Sequence, residues 1–92
     1  MGKYFVEITS PARQHLLALK KSGQKVLIAK VERIFTELAE HPYEGTGKPE
    51  QLRGTNGIWS RRLDQKNRIL YTIHEDIVTV YVLSALGHYG DK

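Results

Sequence analysis

Six basic side chains crowd into residues 45–68 (Lys48, Arg53, Arg61, Arg62, Lys66 and Arg68) against two acids, Glu50 and Asp64. Their excess equals the formal net charge of +4 for the whole chain, so the remaining residues balance to zero. Four of the six are arginines, and arginine clusters suit phosphate because the guanidinium fork pairs with it bidentately and keeps its charge. The stretch Trp59-Ser60-Arg61-Arg62-Leu63 alternates like a strand. Trp59, Arg61 and Leu63 then share one face, and Ile58, Ser60 and Arg62 the other. On the next run Arg68, Leu70 and Thr72 oppose Ile69, Tyr71 and Ile73. Such arginines are either solvated sheet residues or a polyanion-binding surface; on the second reading Arg61, Arg62 and Lys48 are among its phosphate-binding groups.

Other constellations carry less. Gly45-Thr46-Gly47-Lys48 ends like a phosphate loop, but Pro42 stands where that motif needs its first glycine and Pro49 where it needs Ser or Thr. It reads as a turn-rich loop. His15, His41, His74 and His88 lack metal-ligand spacing and there is no cysteine, so neither a metal nor a cofactor is expected. His15 reads as helix surface or interhelix packing, and His41 and His74 as loop residues. His88 follows the last strand, between Gly87 and Tyr89.

The elements that must position these groups follow from periodicity. Lys3 to Thr9 alternates with Tyr, Phe, Val and Ile and predicts a strand. Ser10-Pro11 predicts a helix start, Ser10 as N-cap and Pro11 at the first helical position. Leu16, Leu17 and Leu19 supply its apolar stripe, and Ser22-Gly23 ends it. A second helix spans about 24–40, with Leu27, Val31, Ile34 and Leu38 in 4-3-4 spacing. After the loop 41–49 the period changes to two. Strands are predicted at about 50–53, 58–63, 68–74 and 77–83, separated by short turns at 54–57, 64–67 and Glu75-Asp76. The order β-α-α-β-β-β-β predicts a single α+β domain over 1–92, with a helical hairpin on one face of a mostly antiparallel sheet. The 92 residues, 40% hydrophobic and 26% charged, suit one small globular core. No apolar run reaches the ~20 residues of a membrane span. Residues 1–7 lack the apolar region of a signal peptide, so the cytoplasm is the expected compartment.

Several motifs in order carry a resemblance. Pro42-Tyr43-Glu44-Gly45-Thr46-Gly47-Lys48-Pro49-Glu50-Gln51-Leu52-Arg53-Gly54 is followed by Gly57-Ile58-Trp59-Ser60-Arg61-Arg62, then Arg68-Ile69-Leu70-Tyr71, and finally His88-Tyr89. Together they resemble the YoeB/Txe toxins of the RelE-like toxin–antitoxin superfamily, and the element order is similar to that fold. The chain departs from the family where Ile8-Thr9-Ser10 replaces a Trp-Ser near the end of the first strand, and where Gly90-Asp91-Lys92 follow the His-Tyr pair.

The resemblance implies a ribosome-dependent endoribonuclease acting on mRNA and held inactive by an antitoxin. It assigns the family's acidic residue to Glu50, its phosphate-binding arginines to Arg62 and Arg68, and its terminal pair to His88 and Tyr89. The basic residue after Pro-Glu-x-Leu falls on Arg53. In metal-independent cleavage through the RNA 2′-hydroxyl, Glu50 is the expected base, Arg68 the stabiliser of phosphorane charge and His88 the acid. Arg62 and Arg53 would hold phosphates, and Tyr89 would stack on or orient a base. Trp59 is expected in the core. The implied partners are a YefM-like antitoxin with an acidic segment, the ribosome with its mRNA, and a second copy in a homodimer; operator DNA is contacted only through the antitoxin. The alternative is a non-catalytic toxin-fold module that binds antitoxin or nucleic acid.

Overall fold

A computed structural model describes residues 3–85 of the chain. Among these, the order is β1 (Phe5–Ile8), α1 (Ser10–Ser22), α2 (Lys25–Glu40), β2 (Glu50–Gln51), β3 (Ile58–Arg62), β4 (Arg68–His74) and β5 (Thr79–Ser84). The strands form one sheet in the spatial order β1-β5-β4-β3-β2. The last four make an antiparallel meander, and β1 joins its far edge parallel to β5. The two helices carry the chain from β1 across the sheet to β2 at the opposite edge, and the meander then brings β5 back beside β1.

Helix α2 is held by its stripe: Leu27, Val31, Ile34 and Leu38 are all buried. Each such side chain contributes on the order of 1.5–3 kcal/mol when taken from water. They pack with Ala12 and Leu19 of α1 against Ile69, Tyr71, Val80 and Val82 of the sheet. Val6 and Ile8 of β1 and the half-buried Trp59 pack against this core, as the alternation of the strands predicts.

Three local expectations are corrected. The residue capping α1 is Thr9 and the helix already includes Ser10. The Thr9 hydroxyl does not cap; it bonds to the backbone oxygens of Val82 and Leu83, tying the helix start to β5. Strand β2 has only two residues, because the chain turns at once through Leu52–Gly57. The β4–β5 turn takes four residues, 75–78, and Val78 adopts a left-handed φ of 50°. Strand β5 therefore starts at Thr79, two residues later than the pattern suggests.

Candidate functional site

One face of β2, β3 and β4 carries three of the predicted residues, Glu50, Arg62 and Arg68. Glu50 pairs with Ser60, and Ser60 with Leu70, so these three form a row across the sheet. Arg62 pairs with Arg68 in the next row on the same face. The Arg68 guanidinium reaches diagonally: its Nη1 lies 4.0 Å from a Glu50 carboxylate oxygen and 3.5 Å from Ser60 Oγ. The Glu50 side chain is 59% exposed and that of Arg68 23%, so the carboxylate is open to a ligand while the cation is partly recessed. Arg62 is exposed at the end of β3. A carboxylate that can accept a proton thus stands beside two cations that can hold a phosphate.

The flanking groups are set by turns. Arg53 is exposed in the turn after β2, which is closed by the Leu52 amide on the Ile58 oxygen and the Thr55 hydroxyl on the Leu52 oxygen. Lys48 is exposed two residues before Glu50, at a φ of 51°. Neither is drawn into the Glu50–Arg68 pair by a contact of its own. The predicted His88 and Tyr89 lie outside the described residues. Ser60 is the residue that motif reading missed as part of the site. Its placement between Glu50 and Leu70 becomes visible only with the register.

Arg61 corrects the expected phosphate-binding set. It is fully buried on the helix-facing side of β3. All five of its N–H donors are committed. Nε donates to the Tyr71 hydroxyl at 3.2 Å, and Nη1 to Glu37 at 2.6 Å and to the Thr46 oxygen at 3.3 Å. Nη2 donates to the oxygens of His41 at 3.1 Å and Glu44 at 2.7 Å. No donor is left for a phosphate. Glu37 also accepts from the Thr46 amide and hydroxyl, each at 2.7 Å. Burial alone would push the Glu37 carboxyl up; the bonds from Thr46 and Arg61 outweigh it and hold the group below its ordinary value. Tyr71 donates in turn to the Pro42 oxygen at 2.9 Å. Burial raises the Tyr71 phenol, with Arg61 opposing.

The histidines are likewise placed. Half-buried His15 accepts the Ala85 amide at Nδ1, 3.2 Å away, so it joins α1 to the end of β5 instead of packing between helices. His41 follows α2 and meets the Glu44 oxygen, and His74 ends β4 edge-on to Tyr81. Tyr43 packs edge-on against Trp59, and both it and Tyr4 donate to Glu75. The bond to Glu75 pushes the Tyr43 phenol up to about 12. Among the described residues, no three His, Asp or Glu side chains converge as metal ligands.

Comparison with known proteins adds independent findings. The family model for the YoeB-like toxin of bacterial type II toxin–antitoxin systems matches residues 10–89. Toxin YoeB of Streptomyces coelicolor is 32% identical over 85 residues, covering 91% of this chain and 98% of the relative. A solved YoeB/ParE toxin from Agrobacterium tumefaciens superposes with a TM-score of 0.84 at 23% identity, over 92% of this chain and 99% of the other. The toxin of a heterotetrameric YoeB–YefM toxin–antitoxin complex from Staphylococcus aureus superposes with a TM-score of 0.75 at 24% identity, over 94% and 98%.

Proposed function

Because the chain belongs to the YoeB-like toxins of bacterial type II toxin–antitoxin systems, we propose that it is a ribosome-dependent mRNA endoribonuclease that cuts RNA through the substrate's own 2′-hydroxyl. The observation that carries this reading is the Glu50 carboxylate 4.0 Å from the Arg68 guanidinium on a sheet face that also holds Arg62.

Glu50 takes the proton of the 2′-hydroxyl, whose oxygen attacks the adjacent phosphorus. Arg68 stabilises the negative charge that builds on the phosphoryl oxygens, where a fixed cation is worth most. The bond from phosphorus to the 5′-oxygen breaks, and His88 supplies the proton that the departing oxygen needs. The products are a 2′,3′-cyclic phosphate and a 5′-hydroxyl. Arg62 and Arg53 hold the flanking phosphates, and Tyr89 orients a base. Carboxylates are weak bases in water, and excluding water strengthens them. The ribosome supplies that enclosure and aligns the mRNA; alignment alone can be worth several orders of magnitude in rate.

The partner that restrains this activity is an antitoxin of the YefM kind. The S. aureus complex of a structurally similar toxin supports that assignment.

Expression in growing cells with mapping of mRNA 5′ ends tests the reading. The wild type should arrest growth and create new 5′ ends within translated frames. Glu50→Gln should leave only a small fraction of those ends. Arg62→Ala should do the same while shifting stability by only about 0.5 kcal/mol or less, as exposed substitutions usually do. Undiminished cleavage by a folded Glu50→Gln variant removes the carboxylate from the mechanism and leaves a different catalytic group; a wild type that creates no new 5′ ends leaves the binding-module alternative.

A further inference from the structure

The segment that delivers Glu50 has little to hold it from within. Between the end of α2 and β2 the chain passes two glycines with left-handed or mirror-region φ, Gly45 at 126° and Gly47 at 87°, and then Lys48 at 51°. Strand β2 contributes two pairings, Glu50 with Ser60 and Gln51 with Trp59. A two-residue edge strand after a glycine-rich loop frays readily, since local opening follows sparse packing and few protected hydrogen bonds. Yet Glu50 must keep a defined distance from Arg68 if the pair is to act together.

We propose that Arg61 is a positioning residue: its guanidinium clamps the loop 41–47 from beneath the sheet and thereby fixes Glu50 on the opposite face. Three loop carbonyls, those of His41, Glu44 and Thr46, converge on it. Glu37 neutralises the clamp and grips Thr46 through both amide and hydroxyl. The loop then docks on β3 through the Arg62 amide, which donates to the Gly47 oxygen at 2.7 Å. Glu50 follows three residues later. Strand β3 therefore carries the clamp on one face, at Arg61, and the phosphate-binding Arg62 and the Ser60 contact on the other. Loop and site are set by one rigid element, which is how a precise geometry is kept on a short edge strand.

The inference rests on the proposed role of Glu50, and its test separates the two. Amide exchange is measured at Thr46, Gly47, Lys48, Glu50 and Gln51 in the wild type, in Arg61→Lys and in the milder Thr46→Val, which removes one hydroxyl bond and no charge. Single-turnover mRNA cleavage on ribosomes is measured for the same proteins, alone and combined with Glu50→Gln. Thr46→Val should speed exchange at the loop amides at least about ten-fold, with β4 and β5 amides unchanged. Its maximal cleavage rate should fall about ten-fold at an unchanged half-saturating ribosome concentration. In the Glu50→Gln background it should cause no further loss. Unaltered loop exchange overturns the clamp, as does an equal loss in both backgrounds, which marks general destabilisation. If Arg61→Lys does not fold, Thr46→Val decides alone. If Glu50→Gln cleaves at the wild-type rate, the reading of function fails, and loop exchange still judges the clamp.

Discussion

The Glu37 carboxylate lies against a buried guanidinium with every donor engaged, so its removal is costly in a predictable way. Glu37→Gln leaves the Arg61 charge without a counter-ion, and breaking a buried pair costs about 3 to 5 kcal/mol. The cost depends on pH. The folded-state value of Glu37 lies below its ordinary 4.5, so its ionic contribution is full above 4.5 and is lost as pH falls through the lowered value. Denaturant titrations should thus find the gap between wild type and Glu37→Gln widest near neutrality and closing in acid. A gap independent of pH between 7 and 3 would contradict the ionic account. The role of Arg61 was half legible in the sequence. Alternation places it with Trp59 and Leu63, on the face that packs, whereas its charge suggested phosphate. What decided the matter was Glu37, 24 residues away on α2, and the carbonyls of a loop with no side-chain signature. Glu50, Arg62 and Arg68 were legible because each sits in a local motif. Ser60 entered the site only through the pairing register.

Among the elements, the edge formed by the loop 41–49 and β2 is the one whose geometry depends most on glycine. At Gly47 a Cβ would come within 2.7 Å of the Arg62 oxygen and 3.1 Å of its nitrogen, at a φ of 87°. At Gly54 the φ is 75° but a Cβ would meet nothing within 4 Å. Gly54→Ala should therefore cost about 1 kcal/mol, the penalty of the left-handed conformation alone. Gly47→Ala should cost more, about 2 to 4 kcal/mol, because backbone atoms of β3 must also yield. Denaturation midpoints compare the two directly. Equal costs would mean that the loop does not press on β3. The helices and the three longer strands were readable because their apolar periods extend over several residues. The shortness of β2 was not, since Glu50 to Arg53 has too few residues to set a period. The parallel edge of β1 was unreadable for another reason: it rests on pairing with β5 and on Thr9 reaching the Val82 and Leu83 oxygens, contacts more than 70 residues apart.

Across the whole molecule, charge is segregated: the excess of +4 lies in the quarter of the chain that forms the loop, β2, β3 and the start of β4. Although Arg61 is buried against Glu37, Arg62 and Arg68 share the open face of β3 and β4. An acidic antitoxin segment suits that face, and opposite charges there speed and orient association. Binding of a YefM-like antitoxin should weaken as salt rises, since exposed charges are screened beyond roughly 8 Å at physiological ionic strength. Arg62→Ala should weaken it further and flatten the salt dependence; calorimetric titration at several salt concentrations checks both. Affinity indifferent to salt and to Arg62 would place the antitoxin elsewhere. In the proposed mechanism this charged face makes RNA cut itself, with Glu50 and Arg68 assisting the 2′-oxygen. The most direct measurement uses a translating ribosome and an mRNA carrying a single 2′-deoxynucleotide immediately 5′ to the cut, beside the unmodified message. The deoxy message should survive intact, and the unmodified one should yield a 5′-hydroxyl and a 2′,3′-cyclic phosphate or the 3′-phosphate it hydrolyses to. Efficient cutting of the deoxy message, or a 3′-hydroxyl on the product, would contradict the account.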